Sequence, residues 1–277
     1  MHARFSRASA RTAISDVFDA PYMQRALLEL VLLAVPGGVL GSWIVLRRLA
    51  FFSHAVGTAT FPGLVLADAW GVPAQPVALA TGLGFAGGVR GGGREGRAGA
   101  DATTALLLVA ALAIGIILAS DVYGSGSGVD RLLFGSLLGL SDLDLWLTGG
   151  MAVLALAADA ALRRTWAAGS FDPEGAASLG VRAAAGDRVL LALISAAVVV
   201  ALAAVGALLV TAALVLPAAT ARLVTTRLGT LQAVAVALGM AEGVAALALS
   251  RALDVGPGAA LAVTGAGVFA VVAVVRR

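Results

Sequence analysis

The sequence predicts an all-α protein that crosses a lipid bilayer about nine times. Three observations lead there. Of 277 residues, 60% are hydrophobic and only 13% charged, whereas a soluble domain carries roughly 25% charged residues. Mean hydropathy is +0.98. The apolar residues fall in runs with arginines clustered between them, which is the pattern of membrane topology signals.

The organising stretch is Val189 to Ala221, flanked by Arg188 and Arg222 and interrupted by no charge. One span needs about 20 apolar residues, so this run holds two. They part near Gly206 to Thr211, and Pro217 is expected to interrupt the second. A broken helix is tolerated in a membrane only where protein or a wet cavity satisfies the freed backbone groups.

The other runs follow in order. Residues 1–25 form a polar N-terminal segment without the apolar core of a secretory signal, and 26–277 form one transmembrane domain. Ala26 to Leu46 is the first span, ended by Arg47 and Arg48. Ala55 to Trp70 is the second, closed by Gly71, Val72 and Pro73. Val77 to Val89 is a glycine-rich third span, and Ala102 to Ser120 the fourth. Beyond a GSGSG loop, Arg131 to Leu140 is apolar but too short to span, which suits a re-entrant or interfacial helix. Leu143 to Leu162 is the fifth span, followed by a more polar interval, Thr165 to Arg188. Leu231 to Ser250 and Gly258 to Val275 are the eighth and ninth.

The arginine groups Arg47/Arg48, Arg90/Arg94/Arg97, Arg163/Arg164/Arg182/Arg188, Arg222/Arg227 and Arg276/Arg277 fall on alternate loops and are all cytoplasmic if there are nine spans. The N-terminus is then outside, against the signal of Arg4, Arg7, Arg11 and Arg25. Small residues recur at four-residue spacing in Gly37/Gly41, Gly84/Gly88, Gly135/Gly139 and Gly239/Gly243, the spacing of close helix–helix packing.

Several classes are excluded. Without cysteine there is no disulfide framework and no thiolate metal site. Without lysine there is no P-loop lysine, so the chain is not expected to hydrolyse ATP or to hold a cofactor. A net charge of +3 does not suggest nucleic-acid binding.

Ionisable groups inside spans are costly and face a partner or a cavity. Glu242, mid-way along the eighth span, either lines a cation path or bonds to a neighbouring helix. Asp68 and Asp101 sit near span ends and read as water-exposed. Asp159 is the expected i,i+4 partner of Arg163. His54 is the one histidine besides His2. Thr58 shares its helical face, and an imidazole suits zinc, iron and similar ions. In the polar interval, Asp172 can cap a short helix with Pro173 in its first turn, and Gly180 can end it. This helix, about 172–181, reads as a cytoplasmic docking element for a soluble partner.

These stretches resemble one family. VLRRLAFFSHAVGTATFPG (Val45 to Gly63), LLFGSLLGLS (Leu132 to Ser141), SFDPEGAASLGV (Ser170 to Val181), VGALLVTAALVLPAATARL (Val205 to Leu223) and DVGPGAALAV (Asp254 to Val263) are together similar to the permease subunits of bacterial ABC importers for zinc, manganese and iron, the metal-ion ABC-3 family. The likeness covers nearly the whole chain. It implies a type II importer-like fold in the bacterial cell membrane, and a dimer with a second, identical or paralogous, permease. It also implies a cytoplasmic ATPase dimer and an extracytoplasmic metal-binding protein. His54, Thr58 and Glu242 would touch the passing ion. Asp172, Pro173, Glu174, Ala177, Ser178, Leu179 and Gly180 would dock on the ATPase. One departure stands out. The family commonly places an aspartate four residues before this histidine, and here that position is Ala50.

Two other readings remain at this stage. A siderophore or corrinoid ABC permease is distantly similar, but is usually longer by one span and lined with more aromatics than the 5% present here. An ion-gradient-driven secondary transporter also uses broken midplane helices, though no internal repeat is visible.

Overall fold

The computed structural model describes residues 21–92, 96–122, 135, 137–171, 183–207 and 209–276. Helix α1 (Pro21–Arg47) begins on a proline, whose missing N–H costs nothing in a first turn. Helices α2 (Ala50–Ala59) and α3 (Phe61–Trp70) form one crossing with a joint at Thr60. Helices α4 (Ala74–Gly92), α5 (Gly96–Ile117), α6 (Asp142–Phe171), α7 (Ala183–Val205), α8 (Val210–Val224), α9 (Leu228–Leu253) and α10 (Pro257–Val275) complete the chain. Among the described residues this makes nine apolar passages, in the expected order. Seven of them have the length and hydropathy of a full span. The other two are the glycine-rich α4 and α8, whose 15 residues reach only about 22 Å at 1.5 Å each.

Local chemistry sets the ends. Ser141 caps α6 reciprocally: its hydroxyl and amide donate to the Asp144 carboxylate at 2.7 and 2.9 Å, and the Asp144 amide points back at the hydroxyl. Gly71 closes α3 with φ +64°, a conformation glycine adopts without strain.

The structure moves several expected boundaries. The first helix starts inside the segment assigned to the polar N-terminus, at Pro21 rather than Ala26. The second crossing starts at Ala50 rather than Ala55, so Ser53 and His54 lie within a helix and not at its edge. The fifth span runs on to Phe171, and α7 begins at Ala183, shortening the polar interval from both sides. The break near Gly206 to Thr211 is present, with Gly206 at φ +82°. Pro217 does not interrupt α8, which continues to Val224. A proline removes one bond to the carbonyl four residues earlier, here Ala213. That oxygen lies against Gly37 of α1, 3.4 Å from where a Cβ would stand, so the freed group is packed rather than exposed to lipid. Of the segment Arg131 to Leu140, a 3-10 turn at Leu137–Gly139 packs on α1 and α7 and buries Leu137; residues 131–134 and 136 lie outside the described residues.

Helix α1 is central and packs on α9, α8 and α6. It approaches them through bare backbone. A Cβ on Gly38 would lie 2.6 Å from the Val236 amide, and one on Gly41 2.1 Å from the Leu214 carbonyl oxygen. From the α9 side, a Cβ on Gly239 or Gly243 would meet Ala34 at 3.2 Å or Leu30 at 3.0 Å. The four-residue glycine spacings on α1 and α9 are therefore packing devices. Gly84 on α4 is not, because nothing lies within 4 Å of a Cβ there.

The helix ends bearing Arg47 and Arg90 fall on one side, against the start of α7. Arg47 closes α1 and reaches Asp187 at the start of α7, and Arg90 of α4 donates to the Ala184 carbonyl. Arg25, at the opposite end of α1, pairs with Asp142 at 2.9 Å, so this off-pattern arginine has a local counter-ion.

Replacing Gly41 by alanine should destabilise the protein by about 1–3 kcal/mol, because the clash is with backbone. Gly84→Ala should leave stability unchanged. Thermal unfolding in detergent compares the two, and equal melting temperatures would refute the packing account.

Candidate functional site

His54 lies in the middle of α2, half-buried, with Ser53 buried beside it. Thr58 follows one turn later, 7% exposed, and its hydroxyl donates to the His54 carbonyl at 3.3 Å. The two side chains share a face of one helix, as their spacing predicts. Helix α2 packs on α4, α5, α7 and α8. Between His54 and Thr58, Gly57 touches the break between α7 and α8: a Cβ there would lie 3.1 Å from the Ala207 carbonyl oxygen and 2.9 Å from Val210. Just past the break, the Thr211 hydroxyl is buried and has no hydrogen-bond partner among the described residues. The helix that carries His54 and Thr58 thus packs directly on the non-helical backbone between α7 and α8. Ala50, the position of the absent aspartate, opens α2 with a methyl group only.

Glu242 is elsewhere. It is 3% exposed on α9, and its Oε1 has no partner. It lines a cavity of about 20 Å³ with Leu30, Ala34, Ala213, Pro217 and Gly239, room for about one water. The residue whose carbonyl Pro217 releases, Ala213, borders the same space. His54 is not in this lining, so the expected path residues occupy two places rather than one. Among the described residues, no group of three or more His, Asp or Glu side chains is placed to hold a metal ion. Asp68 and Asp101 are exposed at helix ends, as expected.

The residues assigned to docking, Asp172, Pro173, Glu174, Ala177, Ser178, Leu179 and Gly180, lie outside the described residues. Their flanks do not. Helix α6 delivers the chain to Phe171 and α7 takes it up at Ala183, both on the arginine-rich side.

Two buried polar features escaped the sequence reading. Glu29, fully buried in α1, accepts a 2.7 Å hydrogen bond from Thr148 of α6, while its Oε2 has no partner. Its presence inside the first apolar run was the available signal. Asp159 does pair with Arg163, as expected. It also accepts from Trp43 Nε1 at 2.7 Å and Gln232 Nε2 at 2.9 Å, joining α1, α6 and α9.

A polytopic α-helical bundle with a broken helix and carboxylates buried inside its spans defines an integral membrane protein. The match to a family model completes the assignment: residues 19–276 match the ABC 3 transport family, and the chain belongs to that family. It is a multi-pass permease subunit of the bacterial cell membrane and not an enzyme; in these systems ATP hydrolysis belongs to a separate subunit. The chain is 32% identical over 249 residues to a manganese transport system membrane protein of Halalkalibacterium halodurans, covering 90% of this chain and 85% of that one. It is 29% identical over 258 residues to a manganese import system permease protein of Streptococcus gordonii, covering 93% and 92%. Among solved structures, PsaBC from Streptococcus pneumoniae in complex with Fab superposes with a TM-score of 0.84 at 25% identity over 95% of both chains. An inward-facing metal-chelate type ABC transporter shares the fold, with a TM-score of 0.72 at 18% identity over 96% of both.

Asp159→Ala would leave the Trp43 and Gln232 donors buried without an acceptor. It should destabilise the protein by about 1–3 kcal/mol. Thermal unfolding that matches the unaltered protein would show that the network contributes nothing.

Proposed function

We propose that this chain forms the translocation path of an ATP-driven importer for divalent metal ions, with manganese as first candidate and zinc and iron as the other members of the class. The observation that carries the reading is the likeness to manganese transport proteins along nine-tenths of the chain. Physical chemistry adds support. A permease must bind its ion well enough to admit it and weakly enough to release it. His54 and Thr58, on the helix that packs against the unwound backbone at Ala207, supply nitrogen and oxygen donors without a trapping cluster of carboxylates among the described residues. Glu242 is a second polar station on this reading, with a carboxylate oxygen free in its cavity. With alanine at position 50 the His54 station lacks an acidic ligand, which lowers its affinity for a divalent ion.

The assembly that suits this role contains a second permease, a cytoplasmic ATPase dimer and an extracytoplasmic metal-binding protein. Residues 172–180 are proposed to dock on the ATPase. Their support is the cap-and-glycine pattern of the sequence, its resemblance to the family's coupling helix, and the position of its flanks among the arginines.

Total cell metal measured by mass spectrometry tests the cargo. Cells with an active ATPase should accumulate manganese, zinc or iron relative to cells with a hydrolysis-dead one. No selective rise in any of the three, with the complex assembled, would reject the reading. His54→Ala should lower uptake by about tenfold or more, the scale of losing one good ligand contact, with membrane insertion intact; Glu242→Gln should lower it as well. Normal uptake by either variant removes that residue from the path. Ser178→Arg should abolish ATPase stimulation, and unchanged stimulation would refute docking there.

A further inference from the structure

The last turns of α1 make a polar clamp that the transport reading does not use. Arg47 ends α1, and its side chain is 12% exposed. Its Nε donates to Ser170 Oγ at 2.8 Å, and its guanidinium donates to the Trp166 carbonyl at 2.6 Å and to Asp187 Oδ1. The Ser170 hydroxyl in turn donates to the Trp166 carbonyl at 2.6 Å. Trp166 Nε1 donates to the Gly186 carbonyl at 2.9 Å. One turn back on α1, Trp43 meets Trp166 edge-to-face, with ring centres 5.5 Å apart. A single guanidinium therefore holds the last turn of α6 and the first turns of α7 to the end of α1. A lysine could not do this, because it lacks the planar fork.

On its other side Arg47 joins a tight turn. Arg48 adopts φ +59°, the Leu49 amide donates to the Ile44 carbonyl at 2.8 Å, and the Ser53 amide donates to the Leu49 carbonyl at 2.9 Å. Helix α2 follows at once, with His54 seven residues beyond Arg47. A turn closed by these two bonds and a left-handed residue is short and defined, so α2 follows the end of α1.

We propose that Arg47 is a positioning residue that couples the α6 and α7 ends to the His54 helix. The inference rests on the transport reading, in which the chain between those two ends meets the ATPase. A rearrangement there shifts the α6 and α7 ends, the clamp carries the shift to α1, and the turn at Arg48 and Leu49 passes it to α2. Arg47 contacts neither ion nor nucleotide in this account. Its removal loosens the link between hydrolysis and passage while leaving each partial process able to proceed.

The test uses the full complex in proteoliposomes, with manganese as probe and uptake and ATP hydrolysis measured together. Arg47→Gln should keep hydrolysis near the unaltered rate, while manganese taken up per ATP falls about tenfold, within the usual range of coupling between sites. Arg47→Lys, which keeps the charge on Asp187 but loses the fork, should give an intermediate ratio. Asp187→Asn alters a partly exposed group and should lower the ratio in the same direction, which decides the matter if Arg47→Gln fails to assemble. Uptake and hydrolysis falling in equal proportion in assembled variants, or an unchanged ratio, would overturn the proposal. Failure of the underlying reading looks different: the unaltered complex would show no ATP-dependent manganese uptake at all.

Discussion

Backbone-to-backbone approach at helix α1 is the constraint on which the rest of the bundle depends. Lipid tails are as apolar as leucine, so apolar surface gives helices little reason to associate, and close van der Waals contact must do it instead. Gly37, Gly38 and Gly41 let α1 lie directly on α8 and α9, and Gly239 and Gly243 return the favour from α9. Once α1 is gripped on that side, α6 closes the other through side chains: Trp43 on Trp166, and Thr148 on Glu29. The bare face and the polar face of one helix thus organise three of its neighbours.

The same dry surroundings sort the polar groups into two kinds. Asp159 is fully engaged, with Trp43, Gln232 and Arg163 all donating to it. In a medium without water that arrangement fixes the mutual rotation of three helices, because slippage of any one leaves a donor or an acceptor unmet. Glu29 and Glu242 each keep one oxygen without a partner. An unpaired polar atom in hydrocarbon is destabilising; Glu29 offsets part of that cost through its bond from Thr148, while Glu242 borders a cavity with room for about one water.

Much of the fold was legible because hydropathy and arginine placement act locally. The order of nine passages and the break near Gly206 follow from runs of residues and the chain's own neighbours. What was not legible is tertiary. Pro217 reads as a breaker on its own helix, yet α8 survives because Gly37 admits the released Ala213 carbonyl from a distant part of the chain. Thr148 lies 119 residues from Glu29, so nothing near that glutamate announces its partner. Gly84 and Gly88 have the same spacing as Gly37 and Gly41, and only the fold shows that Gly84 faces open space. His54 and Thr58 were found because a single helix face is a local property. Their separation from Glu242 was not, because it depends on which helices α2 and α9 pack against.

The candidate site draws its character from where the backbone stops being helical. Non-helical chain at membrane depth must be enclosed by protein, and α2 does the enclosing, with Gly57 pressed on Ala207 and Val210. The helix that shields the break is thus the helix that carries His54 and Thr58. Enclosure and polarity are not independent features here. On the proposed function, that pairing is what an ion path would use: parting α2 from the break would uncover backbone oxygens beside the helix that carries His54 and Thr58.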